Sequence, residues 1–158
     1  MKNILYTLIL TVSVLTYGQK KELKQAQKLI DQEFYNEALD VLDNNKELIL
    51  SSDVKYQAHY YYLNGWALKE DSQSLKSVIS LRKSIELERS IRQKKYIEDA
   101  NILIQNAEAD LVNSAVEDNK NDKYLEASEK LYDAYLMNPN KEDNITYLYY
   151  AASSAVNS

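Results

Sequence analysis

Cysteine is absent from the 158 residues, and turn residues are scarce, with two Gly and one Pro. Without thiols there is no disulfide, no thiolate metal site and no cysteine nucleophile. With so few breakers the chain cannot supply the frequent tight turns of a β-sandwich, which leaves helices. Histidine occurs once, at His59. A lone imidazole with no second His and no Cys points to neither a metal centre nor a catalytic base, so no cofactor or metal is expected. Positive charge is in deficit, 19 Lys and Arg against 24 Asp and Glu for a net charge of −5, so neither nucleic acid nor anionic lipid is an expected partner. No G-x-S-x-G occurs, and Gly18 and Gly65 build no phosphate loop, which argues against an enzyme. Acidic pairs such as Glu70-Asp71, Glu117-Asp118 and Glu142-Asp143 fall at the ends of expected helices, where charge serves solvation. Asn144-Ile-Thr146 matches a glycosylation tripeptide and reads as coincidence at a helix start. The basic group Arg82, Lys83, Arg89, Arg92, Lys94 and Lys95 is diluted by Glu86 and Glu88 and reads as a solvated face. What the chain has in quantity is hydrophobic residues, 45%, and tyrosine, fourteen residues against one Phe and one Trp. That is enough apolar material for one core.

The first eighteen residues read as a unit apart. Lys2 precedes an uncharged run from Ile4 to Leu15, and Thr16-Tyr17-Gly18 then leads to Lys20-Lys21-Glu22. This is the order of a secretory signal peptide, too short an apolar stretch for a spanning helix, with cleavage expected after Gly18. The chain therefore divides into a leader over 1–18 and a helical domain over 19–158, exported to a periplasm or secreted, with no stable membrane span after cleavage.

From Gln19 onward, apolar residues recur at i, i+3, i+4 and i+7. The spacing predicts helices over 20–32, 34–48, 54–70, 74–88, 92–119, 123–137 and 142–157, the fifth of them unusually long. Short polar breaks separate them, with Asp53, Ser72 and Asp122 as expected N-caps and Pro139 as a stop signal. Such short connections make consecutive helices antiparallel neighbours.

Tyr124, Ala127, Leu131, Ala134 and Pro139 follow one another at spacings of 3, 4, 3 and 5. This resembles the second helix of a tetratricopeptide repeat. Ser77, Val78, Leu81, Ser84 and Ile85 resemble the same helix with Ser in place of Ala, and Phe34, Tyr35, Ala38, Leu39 and Leu42 resemble its first half. Tyr61, Gly65 and Leu68 match the large, Gly and large positions of a first helix; Leu111, Ser114 and Ala115, and Leu148, Ala151, Ala152 and Ala155, repeat parts of it. Ala38, Ser77 and Ala127 are 39 and 50 residues apart, where a regular array has about 34. The resemblance, to secreted bacterial members, implies antiparallel pairs stacked as an irregular right-handed superhelical solenoid. About three repeats would be followed by the first helix of a fourth. The apolar segment Tyr147 to Ala152 suggests a longer repeat protein, or else a cap or a face for homo-oligomerisation.

In that family the first helices line a concave groove for peptides or partner helices. By position, the resemblance puts His59, Tyr62, Trp66 and Lys69 on one stripe, with Ala109, Val112, Val116 and Asn119 as the corresponding floor. Trp and Tyr combine large contact area with a polar tip, which suits a binding surface, while packing against the neighbouring long helix is the competing role of Tyr62 and Trp66. The expected function is a non-catalytic protein- or peptide-binding scaffold of the bacterial cell envelope. The alternatives are a carbohydrate- or envelope-polymer-binding helical domain, as part of a larger enzyme assembly, and a closed bundle that only oligomerises.

Overall fold

The structure, a computed structural model, describes residues 19–158. The leader expected over 1–18 lies outside the described residues. Among those described, all regular structure is helical: α1 over 19–31, α2 Tyr35–Asn44, α3 Lys46–Leu50, α4 Val54–Glu70, α5 Ser74–Ser90, α6 Ile97–Lys120, α7 Tyr124–Met137, a 3-10 turn Glu142–Asn144, and α8 Ile145–Asn157. No helix among the described residues is long and apolar enough to cross a membrane.

Two expected boundaries differ. The segment 34–48 is broken at Asn45, whose side-chain Nδ2 donates to the Val41 carbonyl at 2.8 Å and competes with helix continuation. The long segment 92–119 begins later, because Arg92 is left-handed (φ 55°) and α6 starts only at Ile97. It remains the longest described helix, 24 residues and about 36 Å.

Four helix ends share one closure. Glu33, Ser72, Arg92 and Asp122 have φ of 64°, 58°, 55° and 59°. After each, the next N–H donates back to a carbonyl five residues earlier: Phe34 to Leu29 and Gln73 to Leu68 at 2.9 Å, Gln93 to Glu88 at 2.8 Å, Lys123 to Asp118 at 2.9 Å. These are Schellman motifs, usually made with glycine, and here made without it. Ser72 and Asp122 therefore end the preceding helix and do not cap the following one. The N-cap positions fall on Gln73 and Lys123, without a capping side chain. Asp53 does occupy the N-cap of α4 but makes no side-chain cap; its carboxylate lies 3.6 Å from Lys55.

Packing is tightest between α4 and α5. Gly65 carries no side chain because a Cβ there would lie 2.6 Å from Leu81 Cγ. Ser77 Oγ donates to the Gly65 carbonyl at 2.7 Å, Ser84 Oγ to the Ala58 carbonyl at 2.8 Å, and Ser80 Oγ to Asn64 Oδ1 at 2.8 Å. Ser77 and Ser84 are completely buried, two turns apart on one face of α5, and each spends its hydroxyl on a backbone acceptor of α4. Beyond this pair, α5 packs on α6, α6 on α7 and α7 on α8, while α4 also touches α6 and α5 touches α7. Lys69 of α4 meets Asp110 of α6 at 3.2 Å, and Asn119 of α6 accepts from Ser154 of α8 at 3.0 Å. Helix α4 thus reaches past α5 to α6, and α6 reaches past α7 to α8.

The buried apolar residues fall into one large cluster, from Leu23 and Ala26 of α1 to Ala100 of α6, and two small ones. One joins Val78, Ala107 and Met137; the other joins Ala115, Leu131 and Ala151.

Two stability measurements check this packing. Gly65→Ala is expected to lower the free energy of denaturant unfolding by about 1–3 kcal/mol despite alanine's higher helix propensity, and to cost less when Leu81 is also Ala. Arg92→Gly is expected to raise it by about 0.5–1 kcal/mol, because glycine removes the left-handed strain at some entropic cost.

Candidate functional site

Three hollows lie among these helices. The first, about 270 Å³, lies between α1, the start of α4 and the α5–α6 connection. His59 lines it with Tyr56 and Lys55 of α4, Lys20 and Lys24 of α1, and Lys95 and Tyr96 of the connection. The second, about 630 Å³, has a mixed wall and runs between Arg82, Ile85 and Arg89 of α5, Asn101, Ile104 and Gln105 of α6, and Lys141. The third, about 510 Å³, is apolar and is formed by Val112, Val116 and Asn119 of α6 with Leu131, Tyr147 and Tyr150.

The α4 stripe does not stay together as one binding surface. Tyr96 packs on two of its members: His59 stacks on the ring with centroids 5.0 Å apart and planes 13° apart, and Tyr62 at 4.7 Å and 18°. Tyr62 is 6% exposed and belongs to the core, and burial pushes its hydroxyl up to about 12. Trp66 is half-buried, edge-on to Tyr62 at 5.8 Å. Lys69 pairs with Asp110 at 3.2 Å and Glu70 at 3.3 Å. Burial alone would lower its pKa, but hydrogen bonds to those two carboxylates hold it above the usual lysine value. Of the stripe, only His59 borders a hollow, whereas Val112, Val116 and Asn119 come together in another, with Val116 45% exposed. Ala109 is exposed and lines none of the three.

The first hollow holds most of what sequence reasoning missed. Glu88 is 0% exposed; its Oε2 accepts the Tyr96 N–H at 3.2 Å, and its Oε1 has no hydrogen-bond partner among the described residues. An unpaired buried acceptor costs roughly 1–3 kcal/mol. The signal was present in the sequence: Ser77, Leu81, Ser84 and Glu88 lie on one face of α5 at spacings of 4, 3 and 4, so a carboxylate occupies a core position. Around the hollow, Lys55 Nζ and Lys95 Nζ each lie 4.8 Å from a tyrosine ring centroid, over Tyr56 and Tyr96. Burial, reinforced by the positive charge of Lys95, lowers His59 to about 4, so at neutral pH it is an uncharged ring with one donor and one acceptor.

No group of His, Cys, Asp and Glu suited to a metal ion occurs among the described residues. The chain matches no family model, no curated protein and no solved structure.

The neutral His59 fixes the sign of a pH dependence. With a folded value of about 4 against about 6.5 unfolded, the native state binds fewer protons between those limits. Its stabilising contribution is therefore complete above pH 6.5 and is lost as pH falls toward 4, by no more than about 3 kcal/mol. Denaturation midpoints at pH 7.5 and 4.5 should differ less in His59→Phe, which keeps the ring on Tyr96 and cannot titrate. An equal difference in both proteins would show that His59 titrates alike in the native and unfolded states.

Proposed function

We propose that the chain is an exported, non-catalytic scaffold that binds a protein or peptide partner through a helical array resembling tetratricopeptide repeats. The observation that carries this reading is a local geometry used three times. Glu33, Ser72 and Asp122 are left-handed, and the fifth residue after each, Ala38, Ser77 and Ala127, is fully buried. The N–H of that small residue donates to the carbonyl of Phe34, Gln73 or Lys123 at 3.0, 2.9 and 3.0 Å. Three hairpins with one closure and one register support repetition of a single supersecondary unit, and unequal spacing between them accounts for the irregular period. Contacts between alternate helices, α4 with α6 and α5 with α7, support the reading of stacked pairs.

A stacked array offers its partner an extended surface, and here the third hollow supplies the apolar part of it. Val116 and Tyr150, 45% and 53% exposed, face it in the company of Asn119 and Ser153. Apolar anchors with scattered amides and hydroxyls suit the side chains and backbone of a peptide better than they suit a charged small molecule.

Selection of peptides from a random library against the full chain checks the assignment. A selected peptide should bind Val116→Asp and Tyr150→Asp at least tenfold more weakly, with helicity unchanged, and should bind Ile79→Asp as it binds the unsubstituted chain. Ile79, on α5, is 62% exposed and lines none of the three hollows. Loss on Ile79→Asp alone would move the binding surface to α5 and overturn the proposal.

A further inference from the structure

We propose that the hollow between α1, α4 and the α5–α6 connection is a binding site for an anionic monosaccharide unit, a sugar ring bearing a carboxylate or a phosphate. It is independent of the peptide surface, which lies at the α6–α8 end.

The charges around the hollow settle the first half of the ligand's chemistry. Lys20, Lys24, Lys55 and Lys95 come from three separate elements and converge on it, in a chain whose net charge is −5, and the imidazole of His59 adds no charge at neutral pH. Glu88, in the wall, is the one acidic residue lining the hollow, and Asp53, 3.6 Å from Lys55, offsets one of the four ammonium groups from outside it. A cation is repelled by this rim and an anion is drawn to it.

Glu88 supplies the second half. A bare anion finds a carboxylate in the wall of its site, one oxygen of which is taken by the Tyr96 N–H while the other accepts no hydrogen bond. A group that gives that oxygen a hydroxyl proton satisfies it without adding charge beside it. The ligand therefore carries hydroxyl donors as well as its negative charge. The Tyr56 ring and the His59–Tyr96 stack give the hollow apolar walls against which the C–H face of a sugar ring packs. Its volume of about 270 Å³ holds one such ring and no more than the start of a second.

The single histidine is the reporter. The full chain is titrated at pH 7 with glucuronate, glucose 6-phosphate, glucose, cyclohexanecarboxylate, acetate and a glutamate-rich peptide, and the imidazole signals of His59 are followed by NMR. Glucuronate and glucose 6-phosphate should shift them with dissociation constants at least tenfold below those of the other probes, and whichever binds tighter identifies the carboxylate or the phosphate as the natural anion. Lys20→Ala combined with Lys24→Ala should weaken both at least fivefold. Glu88→Gln should weaken glucuronate at least tenfold and leave acetate bound as tightly or more tightly. Because substitution at a buried carboxylate can unsettle the fold, cyclohexanecarboxylate gives the same information from the ligand side: it keeps the ring and the charge and lacks the hydroxyls. Binding of cyclohexanecarboxylate or acetate as tight as that of glucuronate would reduce the hollow to a plain anion site and overturn the proposal. Tighter binding of the glutamate-rich peptide would do so as well, by giving the hollow to a peptide.

Discussion

The close approach of α4 and α5 is the constraint on which the remaining helices depend. It requires one residue without a side chain, Gly65, opposite Leu81, and two hydroxyls, Ser77 and Ser84, short enough to reach the α4 backbone. Alanine at both positions would allow the same approach and give up the two bonds, so serine adds direction to proximity. The pair so fixed presents Tyr62 and His59 on one side and Val78 on another. The first two receive Tyr96 at the entry to α6, and Val78 meets Ala107 further along α6. The orientation of α6 follows, and with it that of α7 and α8.

Tyr96 shows how binding and packing compete for the same side chains. An aromatic stripe on a helix has two uses, to hold a ligand or to hold the neighbouring connection, and here Tyr96 of the chain itself packs on the stripe. The polar neighbours behave similarly: Lys69 is committed to Asp110, so what an isolated α4 would display as a recognition surface serves instead to attach α6. The open surfaces lie apart, a basic one near α1 and an apolar one near α8.

Helical class, element order and most element boundaries were legible in the sequence, because the apolar period of α4, α5 and α7 is regular and each hairpin turn is polar. The errors share a cause. Ser72 and Asp122 are residues that accept hydrogen bonds at a helix start and also tolerate, for aspartate especially, the left-handed conformation at a helix end. Local composition does not separate the two roles; the backbone bonds from Gln73 and Lys123 do. Arg92 gave no warning at all, since arginine has no preference for positive φ, and α6 was accordingly begun five residues too early. The site was less legible than the fold. Position on a helix face brings His59, Tyr62, Trp66 and Lys69 into line, but whether a lined-up residue is free depends on what packs over it, and Tyr96 and Asp110 are remote in sequence. Glu88 was visible as a charged residue in a core register and was passed over as part of a solvated basic face.

The separation of the core into one large and two small clusters bears on cooperativity. The apolar residues of α1 to the start of α6 form a continuous body, while α7 and α8 are held by small groups around Ala107 and Ala115, helped by the tie of Lys130 to Asp118. A chain joined in this way need not unfold as one unit. Its amide protons would exchange slowly in α4 and α5 and much faster in α8, whose opening breaks only the last cluster, so the C-terminal hairpin would open and reclose against a body that stays folded.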